Sequence, residues 1–143
     1  MSVFICNVCG HVAFGSAPEK CPVCWATKFT QNDSIFKESE EKSREGAPKH
    51  IPAITVKKEC GLIPDSGCID VLVVIGQKVH PMEEKHFIVF IDCYVDDKYV
   101  SRQFLTPGVY AGSLFHLKTP GKNVRIVEKC NLHGYWTAEA SLA

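Results

Sequence analysis

From Lys49 onward, apolar residues come in short runs with the two-residue alternation of strands, cut by Gly, Pro and Asp. Strands are predicted near residues 51–58, 69–76, 86–95, 98–105, 112–118 and 122–129. In the third run Phe87, Val89, Ile91, Cys93 and Val95 alternate onto one face, which is assigned to a core. Asp96-Asp97 then turns the chain into Lys98-Tyr99-Val100 as a hairpin. No long helical period competes. Between Asn32 and Pro48 the apolar density falls and Lys37, Glu38, Glu40, Glu41, Lys42, Arg44 and Glu45 crowd together. That stretch reads as a solvated linker with one helical turn at most. The pattern predicts a mainly β chain in three parts: a small module over 1–36, a charged linker over 37–48, and an antiparallel β-sandwich or small barrel over 49–143.

Composition narrows the function classes. Sixteen Lys and Arg balance sixteen Asp and Glu, a net charge of zero, so no one-signed field exists to hold nucleic acid or an anionic membrane. With 45% hydrophobic and 22% charged residues the chain is expected to be folded and soluble, and no apolar run approaches the roughly 18 residues of a membrane helix. The opening Met1-Ser2-Val3-Phe4-Ile5-Cys6 has neither basic segment nor apolar h-region, and the cytoplasm is the expected location.

Eight Cys in 143 residues are too few for a disulfide-stapled scaffold, and half of them fall in the first 24 residues as Cys6-x2-Cys9 and Cys21-x2-Cys24. Two-residue spacing lets a tight turn aim both sulfurs and the following amides at one point, and two such turns complete a tetrahedral sulfur site. Gly10 supplies the permissive backbone of the first turn. A module this small cannot rest on apolar burial alone, so Phe4, Phe14, Trp25 and Phe29 are expected to pack around a metal that supplies much of the folding energy. With Ala17-Pro18-Glu19-Lys20-Cys21-Pro22 leading into the second pair, residues 1–36 resemble the rubredoxin-like domain at the end of rubrerythrins. The resemblance implies one iron on four cysteines; four thiolates suit zinc as well.

Four of the six His stand at element boundaries: His50, His80, His86 and His133. Cys130-x2-His133 brings a thiolate and an imidazole within reach of one ion, while His80 and His86 converge only if Pro-Met-Glu-Glu-Lys between them returns on itself. In order and approximate spacing, Lys49-His50-Ile51-Pro52, Gly76-x3-His80-Pro81-Met82-x3-His86-Phe87-Ile88, Tyr94-Val95-Asp96 and Cys130-Asn131-Leu132-His133-Gly134-Tyr135-Trp136 resemble the catalytic domain of superoxide reductases, the family of desulfoferrodoxin and neelaredoxin. The resemblance implies an immunoglobulin-like sandwich with a second iron, held by the nitrogens of His50, His80, His86 and His133 in a plane and the Cys130 sulfur on the axis. Neutral imidazoles and one thiolate leave such a site positive, which suits an anionic substrate. Lys49, beside a ligand, is assigned to attracting superoxide and ordering a proton-donating water.

Two departures from the family stand out. Pro48 occupies the position where many members carry Glu, with Glu45 three residues away, and Cys21 and Cys24 are spaced by two where two-domain desulfoferrodoxins have an adjacent pair. The function implied is one-electron reduction of superoxide to hydrogen peroxide, with electrons passing through the four-cysteine iron from a donor such as rubredoxin or a flavoprotein reductase, in a homo-oligomer. A superoxide dismutase and a zinc-stabilised binding module are the competing readings. Cys60 and Cys68, whose spacing fits no metal signature, are read as two thiols without a role, in preference to a metal half-site or a disulfide. Cys93 is read as a core residue, His11 and His116 as isolated structural or surface residues, and Trp136 as packing that steadies the Cys130 loop.

Overall fold

The computed structural model describes residues 1–118 and 120–143, with every side chain among them except that of Glu45. The first module is a three-stranded antiparallel sheet, β1 (Val3–Cys6), β2 (Val12–Phe14) and β3 (Phe29–Gln31), in the order β2-β1-β3. Gly10 takes φ +78° in the first cysteine turn, where a side chain would be strained. Trp25 takes the matching left-handed conformation in the second turn at φ +68°. Its ring is 74% exposed, so the expectation that Trp25 packs around the metal is corrected: the left-handed backbone turns the ring outward.

The rest of the chain is a sandwich. β4 (Pro52–Lys57), β5 (Ile69–Ile75) and β8 (Gly112–Leu117) form one sheet in the order β4-β5-β8. β6 (Ile88–Val95), β7 (Lys98–Phe104), β9 (Asn123–Cys130) and β10 (Gly134–Ser141) form the other in the order β10-β9-β6-β7. All pairings are antiparallel. Val71, Val73, Ile75, Ile91, Cys93, Val95, Phe115, Leu117, Val124 and Ile126 close the space between the sheets. Asp96 and Asp97, with φ +49° and +62°, make the two-residue turn between β6 and β7 that matches strand twist.

The structure departs from the sequence expectation elsewhere as well. The alternation along β6 breaks at a register shift between Ile88 and Phe90, so Ile88 joins the inner core while Phe87 and Val89 do not share the face of Ile91. The residues between also belong to a core, because the first module covers the outer face of this sheet with Val3 and Val12 against Phe90, Tyr94, Val127 and Tyr135. The expected linker instead begins as the helix α1 (Ile35–Lys42), followed by a short 3-10 turn at Arg44–Gly46 and α2 (Ala47–His50). Ile35 and Phe36 pack on the outer core and Ser39 is buried, which explains why a charged stretch is helical. Finally, Cys60 and Cys68 are joined as a disulfide, and His116 is paired with Asp70; the β4–β5 hairpin brings them together across a loop whose spacing carries no signature. No helix among the described residues is long and apolar enough to cross a membrane.

Candidate metal centres

In the first module the four sulfurs come together as two facing pairs, Cys6 to Cys24 at 3.5 Å and Cys9 to Cys21 at 3.6 Å, all within 4.8 Å of one another. Sulfur bonds of ~2.3 Å to a tetrahedral ion give edges of about 3.8 Å, so the cluster fits one metal. Burial raises the Cys6 thiol, but the amides of Cys9 and Val8 outweigh it and bring it down to about 7. Burial pushes Cys9 and Cys21 up. The turn is held from outside: the Arg102 guanidinium donates to the Cys9 carbonyl at 3.0 Å and the Tyr135 hydroxyl to the Gly10 carbonyl at 2.8 Å. Arg102 is also forked onto Asp92, which lies 3.3 Å from His11 Nδ1, and the Tyr94 hydroxyl donates to the Val12 carbonyl at 2.6 Å. His11 is therefore a satisfied structural histidine.

The second cluster lies at one end of the sandwich and draws on three segments. α2 brings His50, the loop after β5 brings His80 and His86, and the β9–β10 turn brings Cys130 and His133. Gly76 makes the approach of α2 possible. At φ +87°, a Cβ there would stand 2.6 Å from the Lys49 carbonyl oxygen, while the Gly76 and Gln77 amides donate to the carbonyls of Ile51 and Pro48. The loop carrying His80 and His86 does return on itself, through reciprocal backbone bonds between Glu83 and His86 of 2.9 and 3.0 Å.

Neighbouring ring centroids run His50–His80 4.7 Å, His80–His86 4.6 Å, His86–His133 5.0 Å and His133–His50 4.9 Å. The diagonal His50–His86 is 6.4 Å, as expected of four rings at the corners of a near-square. The Cys130 sulfur is buried 3.6 Å from His80 Nε2 and 3.7 Å from His133 Nδ1.

Hydrogen bonding fixes what these rings offer. His50 Nδ1 lies 2.7 Å from the Gly46 carbonyl and His80 Nδ1 lies 2.7 Å from the Pro81 carbonyl. A carbonyl only accepts, so each Nδ1 carries the proton and each Nε2 presents a bare lone pair. Those two nitrogens face each other at 3.2 Å. Two acceptors so close repel unless a cation lies between them. His86 Nε2 is buried with no hydrogen-bond partner among the described residues. Burial pushes His80 down to about 4 and lowers His50 and His86 too, with Lys49 adding to the effect on the last two. These three rings are thus neutral at pH 7. Burial raises the Cys130 thiol against the pull of the Leu132 and His133 amides, so a thiolate there calls for a positive partner. The donor set fits a transition-metal ion.

His50 and His80 are buried, His86 and His133 only partly, and Lys49 is exposed beside them, so the cluster meets solvent on that side. All nine predicted metal-ligating residues converge in these two clusters. The Pro48 carbonyl is used by Gln77, and the Glu45 side chain lies outside the described residues. Sequence reasoning missed two of the supports, Asn131 and Ser39. Asn131 ties the two loops together, accepting from the Phe87 amide and donating to the Lys85 carbonyl, both at 3.0 Å. Ser39 Oγ accepts the Tyr135 amide at 2.9 Å beside Gly134. Trp136 donates to the His133 carbonyl at 3.1 Å, as a loop-steadying residue should, and also stacks on His50 at 4.9 Å. The only prior signal for these was their place in the Cys130–Trp136 segment, and Ser39 had none.

Comparison with known proteins agrees with this anatomy. The desulfoferrodoxin family matches residues 40–139 and the rubrerythrin rubredoxin-like domain matches residues 4–29. A desulfoferrodoxin of Syntrophotalea carbinolica is 34% identical over 142 residues, covering 97% of this chain and 96% of that protein. Among solved structures, a superoxide reductase from Nanoarchaeum equitans is 27% identical with a TM-score of 0.54, over 66% of this chain and 94% of that one. The superoxide reductase of Treponema pallidum shares the fold along 96% of this chain and 98% of its own, with a TM-score of 0.64 at 19% identity. The chain belongs to the desulfoferrodoxin family.

Proposed function

We propose that the chain is a superoxide reductase that converts superoxide, one electron and two protons into hydrogen peroxide. The observation that carries the reading is the pair of bare imidazole nitrogens at 3.2 Å, ringed by two further histidines and backed by a buried cysteine. His50, His80, His86, His133 and Cys130 would hold one iron, and Cys6, Cys9, Cys21 and Cys24 the other. Bound there, iron would supply one-electron redox chemistry at both sites. The protein residues set the conditions for it. Burial keeps His50, His80 and His86 neutral, so a bound ion would retain positive charge for an anionic substrate. Lys49 adds an exposed charge on the solvent side, where it attracts superoxide and orders the water that supplies protons. Cys130 is fully buried, which keeps solvent from the sulfur. Arg102 and Tyr135 grip the Cys9 and Gly10 carbonyls and hold the four-cysteine module against the catalytic lobe. A donor of the rubredoxin or flavoprotein class would meet the exposed Val8 and Trp25 at its tip.

The test is to consume superoxide with the reduced two-iron protein and count products. One peroxide per superoxide with oxidation of the protein supports the reading. Sustained oxygen evolution without a donor would make it a dismutase, and a colourless two-zinc protein would make it a binding module.

A further inference from the structure

A third group of metal-binding side chains lies at the other end of the β4–β5 hairpin. Cys60 and Cys68 bracket the loop between these strands. Asp70 on β5 and His116 on β8 are direct cross-strand partners. His116 Nδ1 is 2.7 Å from Asp70 Oδ1 and 3.4 Å from Cys60 Sγ, and Cys68 Sγ is 4.0 Å from the same Asp70 oxygen. All four donor atoms lie within 4.8 Å of one another. The Ile63 amide donates to Cys60 Sγ at 3.4 Å, the kind of contact that holds a thiolate in a cysteine turn. Both sulfurs are buried, the Asp70 side chain is 14% exposed and that of His116 30%, so the cluster is walled on the sulfur side and reachable on the imidazole side. Lys57 on β4 is the register partner of Asp70. Five residues of β5, at about 3.3 Å each, separate Asp70 from the Ile75 end near His50, so this group stands roughly 17 Å from the histidine cluster.

We propose that Cys60, Cys68, Asp70 and His116 form a third metal site, which takes a divalent ion of the zinc class when the cysteines are reduced and releases it when they join as a disulfide. Two thiolates, an imidazole and a carboxylate match the four-coordinate preference of zinc. The disulfide in the structure is the metal-free form, since bonding the sulfurs to each other removes both thiolates from the donor set. The oxidant is hydrogen peroxide: two thiolates give up two electrons to form the S–S bond, and peroxide with two protons becomes two waters as the ion leaves. That source of peroxide rests on the function proposed above; the site itself does not.

The experiment uses the full chain with both irons bound and ferric, its disulfide reduced and the reductant removed without air. Zinc ion alone is titrated in while iron content and free thiols are followed. The expected result is one tight equivalent of zinc with no iron lost, followed by release of one zinc per added peroxide as the disulfide returns. Cys60→Ser/Cys68→Ser should bind none, and His116→Ala should weaken binding at least ten-fold with both thiols intact, which separates a built four-donor site from a bare dithiol. The inference is overturned if the reduced chain binds no third metal, if zinc enters only by displacing iron, or if either variant binds as tightly as the parent. Because peroxide is added from outside, a chain that fails to reduce superoxide still gives a decisive zinc titration.

Discussion

Asp92→Ala should undo the union of the two lobes. Asp92 is fully buried and takes a forked pair of bonds from Arg102, whose side chain is 2% exposed, lies 3.6 Å over the Phe90 ring and also holds the Cys9 carbonyl. Burial alone would lower the Arg102 pKa, but its bonds to Asp92 outweigh that and keep the guanidinium charged. Removing the carboxylate strands this charge out of reach of water, at a cost of about 3–5 kcal/mol. With an m-value of about 2 kcal/mol/M, the urea midpoint should fall by roughly 2 M. Following the four-thiolate absorption and tryptophan fluorescence together reports both lobes, and the four-thiolate signal should be lost first. Asp92→Leu/Arg102→Met, which removes both charges, should recover most of the loss. A single variant costing under about 1 kcal/mol, or a double variant as unstable as the single, would refute the claim that this pair clamps the module.

Three further outcomes follow from the geometry. Gly76→Ala puts a Cβ at 2.5 and 2.6 Å from the carbonyl oxygens of Lys78 and Lys49 and strains a φ of +87°, so the His50 helix must shift; metal analysis should show iron lost from the histidine site with the four-thiolate band unchanged, and retention of both irons would contradict this. For the metal-free chain, the depressed pKa values of His80, at about 4, and of His50 and His86 mean that the unfolded state takes up protons first as pH drops below the ordinary 6.5. Stability should therefore decline between pH 6.5 and about 4, with no further loss from His80 below that; a urea midpoint that stays level across this window would count against buried neutral imidazoles. Lys49→Ala should slow superoxide capture a few-fold at low salt, with the difference shrinking as salt is added and iron content unchanged; a stopped-flow rate equal to the parent's would remove Lys49 from the mechanism.

Much of the metal chemistry was legible because it is written locally. A Cys-x2-Cys or Cys-x2-His turn fixes its own geometry, and both cysteine pairs and the Cys130–His133 turn form as the spacing implies. Strands facing one core were legible through alternation, as in β5 and β8. β6 was only partly so, because the first module buries its outer face and a register shift moves Ile88 inward. β10 was absent from the predicted strands: Thr137, Ala138 and Ala140 give it little apolar alternation, and its pairing with β9 decides it. The helix α1 reads as solvated because its docking rests on Ile35, Phe36 and a buried Ser39 among seven nearby charges. The Asp92–Arg102 clamp and the Cys60–Cys68–Asp70–His116 group join residues whose proximity exists only after the strands pair.

Whether Cys130 and four imidazoles share a single ion is tested most directly by the visible spectrum of Cys130→Ser compared with the parent. In the oxidised parent, a sulfur-to-iron band from the histidine site should add to the four-thiolate bands. The variant should lose that band alone and keep the rest. A variant whose spectrum overlays the parent's, with both irons still bound, would mean that the sulfur and the imidazoles do not meet at one metal.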